Sequence, residues 1–98
     1  MYLKDIYYKI ACDKLLVKLY YEKNEKEAIL NKIENNKGFI RKQKKLSDRR
    51  KQLHLAFLKV LQQLVKNKKI ELEKVKGEIL IPDYLWLSKV VKRDSPKT

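Results

Sequence analysis

The sequence predicts an α+β fold, mainly α, and three observations lead there. The chain has 98 residues but only two glycines and two prolines, so long regular elements dominate and tight turns are few. Apolar residues recur at helical spacing over most of its length. After Asn67 the period shortens to two, the mark of strands. The expected elements are an N-terminal helix or helical hairpin, a long central amphipathic helix, a β-hairpin over about 69–81 and a short C-terminal helix. Residues 1–93 are expected to form one small basic domain, and 94–98 a frayed, disordered tail.

Between Tyr2 and about Tyr21, Leu3, Ile6, Tyr7, Ile10, Leu15, Leu16 and Leu19 fall at helical spacings with lysines between them. Asn24 is suited to cap a second helix from Glu25, because its side-chain oxygen accepts from backbone N–H groups at a helix start. That helix uses Ala28, Ile29, Leu30 and Ile33 and is expected to stop at Asn35-Asn36-Lys37-Gly38. No glycine or proline interrupts residues 2–36, so one continuous helix is the alternative; the hairpin is preferred. Ser47 is a good N-cap, and Asp48 behind it suits the positive end of a helix dipole. From 48 to about 66, Leu53, Phe57, Val60, Leu61, Leu64 and Val65 give an apolar face that Leu55 and Leu58 widen. Ile70, Leu72 and Lys74 then alternate with Glu71, Glu73 and Val75, Lys76-Gly77 supplies a turn, and Glu78 to Ile81 runs back. Pro82 is expected to end that strand. Asp83 would cap a last helix, Tyr84 to about Arg93, bearing Leu85, Trp86, Leu87, Val90 and Val91.

Charge is distributed far less evenly than apolar residues. The net charge is +13, and residues 37–69 hold twelve bases against Asp48 alone. The flanking segments are nearly neutral. Between Arg41 and Lys51 lie seven bases and one acid. Like charge concentrated in this way destabilises a free chain by self-repulsion and points to a polyanionic partner.

Other chemistries lack their residues. One histidine, His54, and one cysteine, Cys12, stand 42 positions apart with no companions at ligand spacing, so no metal site and no cofactor is expected. Cys12 reads as a small core residue and His54 as a buried or surface histidine. Ser47 and Ser88 have no base beside them for nucleophilic catalysis. No glycine-rich phosphate loop is present. Glu71, Glu73, Glu78 and Asp83 cluster around the expected hairpin, but Glu71 and Glu73 fall on the face opposite Leu72, where a solvated edge accounts for them. The chain is therefore expected not to be an enzyme. No apolar run reaches 18 residues and the first residues lack a signal-peptide core, so an intracellular, cytoplasmic protein is expected.

Nucleic acid suits the basic segment, with duplex DNA ahead of RNA. Arg41, Lys42, Lys44 and Lys45 fall in or near a loop, and Arg49, Arg50 and Lys51 in the first helical turn after it. Each can neutralise a phosphate and release counterions. Bases in a first turn oppose the helix dipole, a cost that an anion bound there would offset. Lys45, Arg49, Gln52, Ala56, Lys59, Gln63 and Lys66 then follow at spacings of 4, 3, 4, 3, 4 and 3, a polar edge without an acid. Arg49, Gln52, Lys59 and Gln63 are the candidates for reading bases, since arginine and glutamine make bidentate contacts in the major groove. The stretch LQQLVKNKKIELEKVKGEILIP resembles the recognition helix and wing of a winged-helix domain over roughly residues 48–82. That resemblance supplies the alternative fold and implies that Lys74 and Lys76 sit at the wing tip.

Tyr2, Tyr7, Tyr8, Tyr20 and Tyr21 crowd the first helix and read as core residues or as an interface with a second copy, ahead of a stacking surface for unpaired bases. A homodimer would gain affinity by linking two sites. The rival reading makes the chain an accessory subunit of a larger nucleoprotein complex. Its basic segment would then dock on acidic protein or RNA, with the first helix or the Trp86 helix supplying interface anchors.

Overall fold

The computed structural model describes residues 2–94, with side chains to Arg93. Every regular element among them is a helix: α1 (Leu3–Glu22), α2 (Lys26–Arg41), α3 (Asp48–Val65), α4 (Leu72–Val75) and α5 (Ile81–Asp94). Two units divide the chain, the first ending at Lys51 and the second beginning at Gln52. Of the expected tail, Asp94 closes α5, and residues 95–98 lie outside the described residues.

In the first unit, α1 and α2 form the preferred helical hairpin. Asn24 does not cap α2; it adopts a left-handed φ of 56° in the turn, and Glu25 occupies the cap position without a side-chain hydrogen bond. Asparagine tolerates this conformation better than most residues, because its short polar side chain can bond locally. The seam buries Ile6, Ile10, Asp13 and Val17 from α1, and Ile29, Ile33, Asn36 and Ile40 from α2. Both sets step by 4, 3 and 4 residues, the spacing that keeps one stripe of each helix facing its neighbour.

A polar layer interrupts this apolar seam. Asp13, 6% exposed, accepts from Lys9 Nζ at 3.1 Å and Lys32 Nζ at 3.2 Å. The Asn36 amide donates to Asp13 Oδ2 at 3.1 Å and to the Lys32 carbonyl at 3.3 Å. Lys9 also lies over the Phe39 ring, 4.9 Å from its centroid. Buried carboxylates are tolerated when their lone pairs are filled, and this one is bonded from both helices. Asp13→Ala should lower unfolding free energy by about 2–3 kcal/mol, because it leaves the buried Asn36 amide short of an acceptor. Urea unfolding tests this; a loss under about 0.5 kcal/mol would show the layer to be neutral.

The expected stop at Asn35–Gly38 is corrected, since α2 runs through it to Arg41. Asn36 is held by its hydrogen bond to Asp13 across the seam, so its weak helix propensity is overridden. Gly38 sits inside the helix, and a Cβ placed there meets nothing within 4 Å. Gly38→Ala should therefore stabilise the chain by about 1 kcal/mol, a rise in Tm of roughly 4–8 °C by calorimetry. A fall in Tm would refute the helical assignment at that position.

In the second unit, the β-hairpin is overturned, and with it the α+β class and the winged-helix alternative. No strand occurs among the described residues. Leu72–Val75 forms the single turn α4, closed by a bond from Lys74 N to Glu71 O at 3.2 Å and by the Lys74–Glu71 ion pair at 2.8 Å. The period of two was ambiguous, because Leu72, Val75 and Ile79 also step by 3 and 4 residues. Ile79 is buried, and Leu72 and Val75 are half-buried. A lone two-stranded ribbon without further strands has little stability of its own, so burying that stripe as helix and turn wins. Gly77, at φ 88°, makes the turn after α4, with Glu78 N bonded to Val75 O at 2.9 Å.

Pro82 does not stop an element but opens one. It lies in the first turn of α5, where its missing N–H leaves nothing unpaired. Asp83, in that same turn, is 4% exposed. Phe57 and Leu61, at zero exposure, and Leu58, at 1%, anchor α3, and Leu87 and Val90 anchor α5. Phe57 meets Trp86 edge to face at 6.2 Å. His54 is buried one turn before Phe57 and Leu58, as an extension of that stripe. Leu53, Leu55 and Leu64 are only half-buried.

Candidate nucleic-acid interface

The basic run Arg41 to Lys51 belongs entirely to the first unit and forms the corner between α2 and α3. Arg41 lies on the last turn of α2, next to the loop, and its charge there complements the negative end of the helix. Lys42 is the C-cap residue, with its N–H bonded to Gly38 and Phe39 carbonyls at 3.3 Å. Gln43 Nε2 donates to the same Phe39 carbonyl at 2.9 Å, giving it a second donor in the last turn of α2. Leu46 is 3% exposed and anchors the loop as its buried side chain. Ser47 caps α3 as expected: Arg50 N donates to its Oγ at 3.2 Å.

Sequence reasoning passed over Gln43 and Leu46, the two residues that shape this corner. The signal was a single apolar residue and a single amide inside an otherwise cationic run. Such residues have reason to be there only if they turn inward. With those two pinned, Lys42, Lys44 and Lys45 project from the loop, and all three are exposed, as are Arg41, Arg49 and Arg50. Lys51 is half-buried, and its Nζ donates to the Arg41 carbonyl at 3.4 Å, which brings the two ends of the run together. Lys45 Nζ lies 5.8 Å from the centroid of the Tyr2 ring, itself 74% exposed. Among the described residues, no ion pair joins Arg41, Lys42, Lys44, Arg50 or Lys51 to a carboxylate. Asp48, in the first turn of α3, leaves their positive field largely intact.

The remaining candidates lie in the second unit. Gln52 and Lys59 are exposed on α3, Gln63 is half-buried there, and Lys66 is exposed just beyond its end. Lys74 and Lys76 do not stand on a wing; Lys74 lies within α4 paired to Glu71, and Lys76 follows α4 directly. No group of three or more His, Cys, Asp or Glu side chains that could hold a metal ion occurs among the described residues. No described helix is long and apolar enough to cross a membrane. The tyrosines are not core: Tyr2 and Tyr8 are 74% exposed and Tyr7 40%. Cys12 is half-buried instead of being a core residue. No family model, curated protein or solved structure matches the chain.

Proposed function

We propose that the chain binds nucleic acid, without catalysing a reaction, by gripping the phosphodiester backbone with the α2–α3 corner. The observation that carries this reading is the corner itself. Seven of eleven positions are bases, inward pins at Gln43 and Leu46 push the loop lysines outward, and among the described residues five of the seven bases pair with no carboxylate. Duplex DNA is favoured over single strands because its two strands present about one charge per 1.7 Å of axis, the denser target for a clustered cation.

The proposal rests on the corner alone, and base reading by Gln52, Lys59 and Gln63 is not part of it. Binding is then insensitive to sequence and strongly sensitive to salt. Engaging about six phosphates predicts that log K falls with log salt at a slope near −5 on duplex DNA. Fluorescence anisotropy with duplex, single-stranded DNA and structured RNA over a salt series checks this. A duplex slope shallower than about −2 would overturn the reading.

A further inference from the structure

We propose that the outward face of α1 docks an acidic amphipathic helix of a partner protein. This goes beyond the nucleic-acid reading and does not depend on it. Helix α1 carries two apolar stripes. One, through Ile6, Ile10, Asp13 and Val17, is buried in the seam with α2. The other runs through Tyr8, Cys12, Leu15 and Leu19 at the same steps of 4, 3 and 4, about half a turn round the helix. Tyr8 is 74% exposed, Leu15 67% and Leu19 47%, and Leu16 beside them is 37% exposed. Leu15, Leu16 and Leu19, apolar residues at helical spacing, thus belong to no core. An uncovered apolar stripe three turns long marks an interaction surface, and its heptad spacing fits another helix.

The residues that border the stripe select the occupant. At the flanking heptad positions stand Lys4, Ala11 and Lys18 on one side, and Lys9, Leu16 and Lys23 on the other. Every charged residue among these six is a lysine; Lys9 also pairs with Asp13. A second copy would set lysine against lysine in either orientation, and antiparallel it would also set Asp5 against Glu22 at the seam ends. Each copy brings a net +13 besides. A helix with leucines at the matching spacing and glutamates on its flanks satisfies both the stripe and its borders.

The probe is a synthetic amphipathic peptide with leucines at steps of 3 and 4 and glutamate flanks, set against a twin with lysine flanks, each titrated into the full chain. The glutamate peptide should bind at least about ten-fold more tightly, with amide shifts concentrated on residues 8–19. Leu15→Glu should abolish that binding and leave the melting curve unchanged, because the side chain is mostly exposed. Arg49→Ala, Arg50→Ala and Lys51→Ala combined should leave peptide affinity intact. Any of four results would overturn the proposal: no binding, equal affinity for the twins, loss of binding in the triple variant but not in Leu15→Glu, or a self-associated chain that Leu15→Glu dissociates.

Discussion

Replacing Arg49, Arg50 and Lys51 together with alanine should weaken duplex DNA binding by about 10²–10³-fold near 0.1 M salt and flatten the salt slope by about 2–3. Each phosphate contact contributes a slope of about −0.9, and hence about 0.9 decades of affinity at that salt. These three bases occupy the first turn of α3, with Lys51 bonded back to the Arg41 carbonyl. The free chain should not suffer from the change, since removing cations from the positive end of a helix relieves an opposition worth about 0.3–1 kcal/mol each. The ion-binding and structural roles therefore predict opposite signs in thermal melts. Lys89→Ala with Lys92→Ala, exposed on α5, serves as the control and should shift the slope little. A triple variant with an unchanged slope would remove the corner as the binding site.

Phe57→Ala should lower the unfolding free energy by about 3–5 kcal/mol, read as a fall in the urea midpoint at constant slope. Phe57 has zero exposure on α3, with Leu58 and Leu61 beside it, and its ring meets the Trp86 ring at an interplanar angle of 71°. Truncation removes the buried ring, leaves a cavity and strips Trp86 of its edge-to-face partner. For a small domain this is a large share of total stability. Phe57→Leu, which keeps most of the volume, should recover more than half of the loss. A loss below about 1 kcal/mol for the alanine variant would mean that the second unit is not organised around this residue.

Elements whose signals were local were legible in the sequence. The Ser47 cap and the apolar stripe behind it gave α3 its start, and the charge asymmetry located the basic segment. Signals that depend on a distant partner misled. Asn35–Gly38 looks like a helix stop until Asp13 is placed opposite Asn36. The alternation at Ile70–Val75 looks like a strand because a short run with apolar residues at 72, 75 and 79 fits a helical turn equally well. In α1 the helical spacing of the leucines does not say which of two stripes will be covered.

By itself the sequence determined that the chain is built on apolar helices, where α3 begins, and that its positive charge is concentrated between Lys37 and Lys69. These follow from interactions among residues a few positions apart, which spacing records directly. Only the tertiary structure decided that α2 continues through Gly38, that the wing does not exist, that Asp13 lies inside and Leu15 outside, and that Gln43 and Leu46 turn the basic loop outward. Each of those outcomes depends on how the burial of one side chain competes with that of another across the fold, and such competition leaves no mark on local spacing.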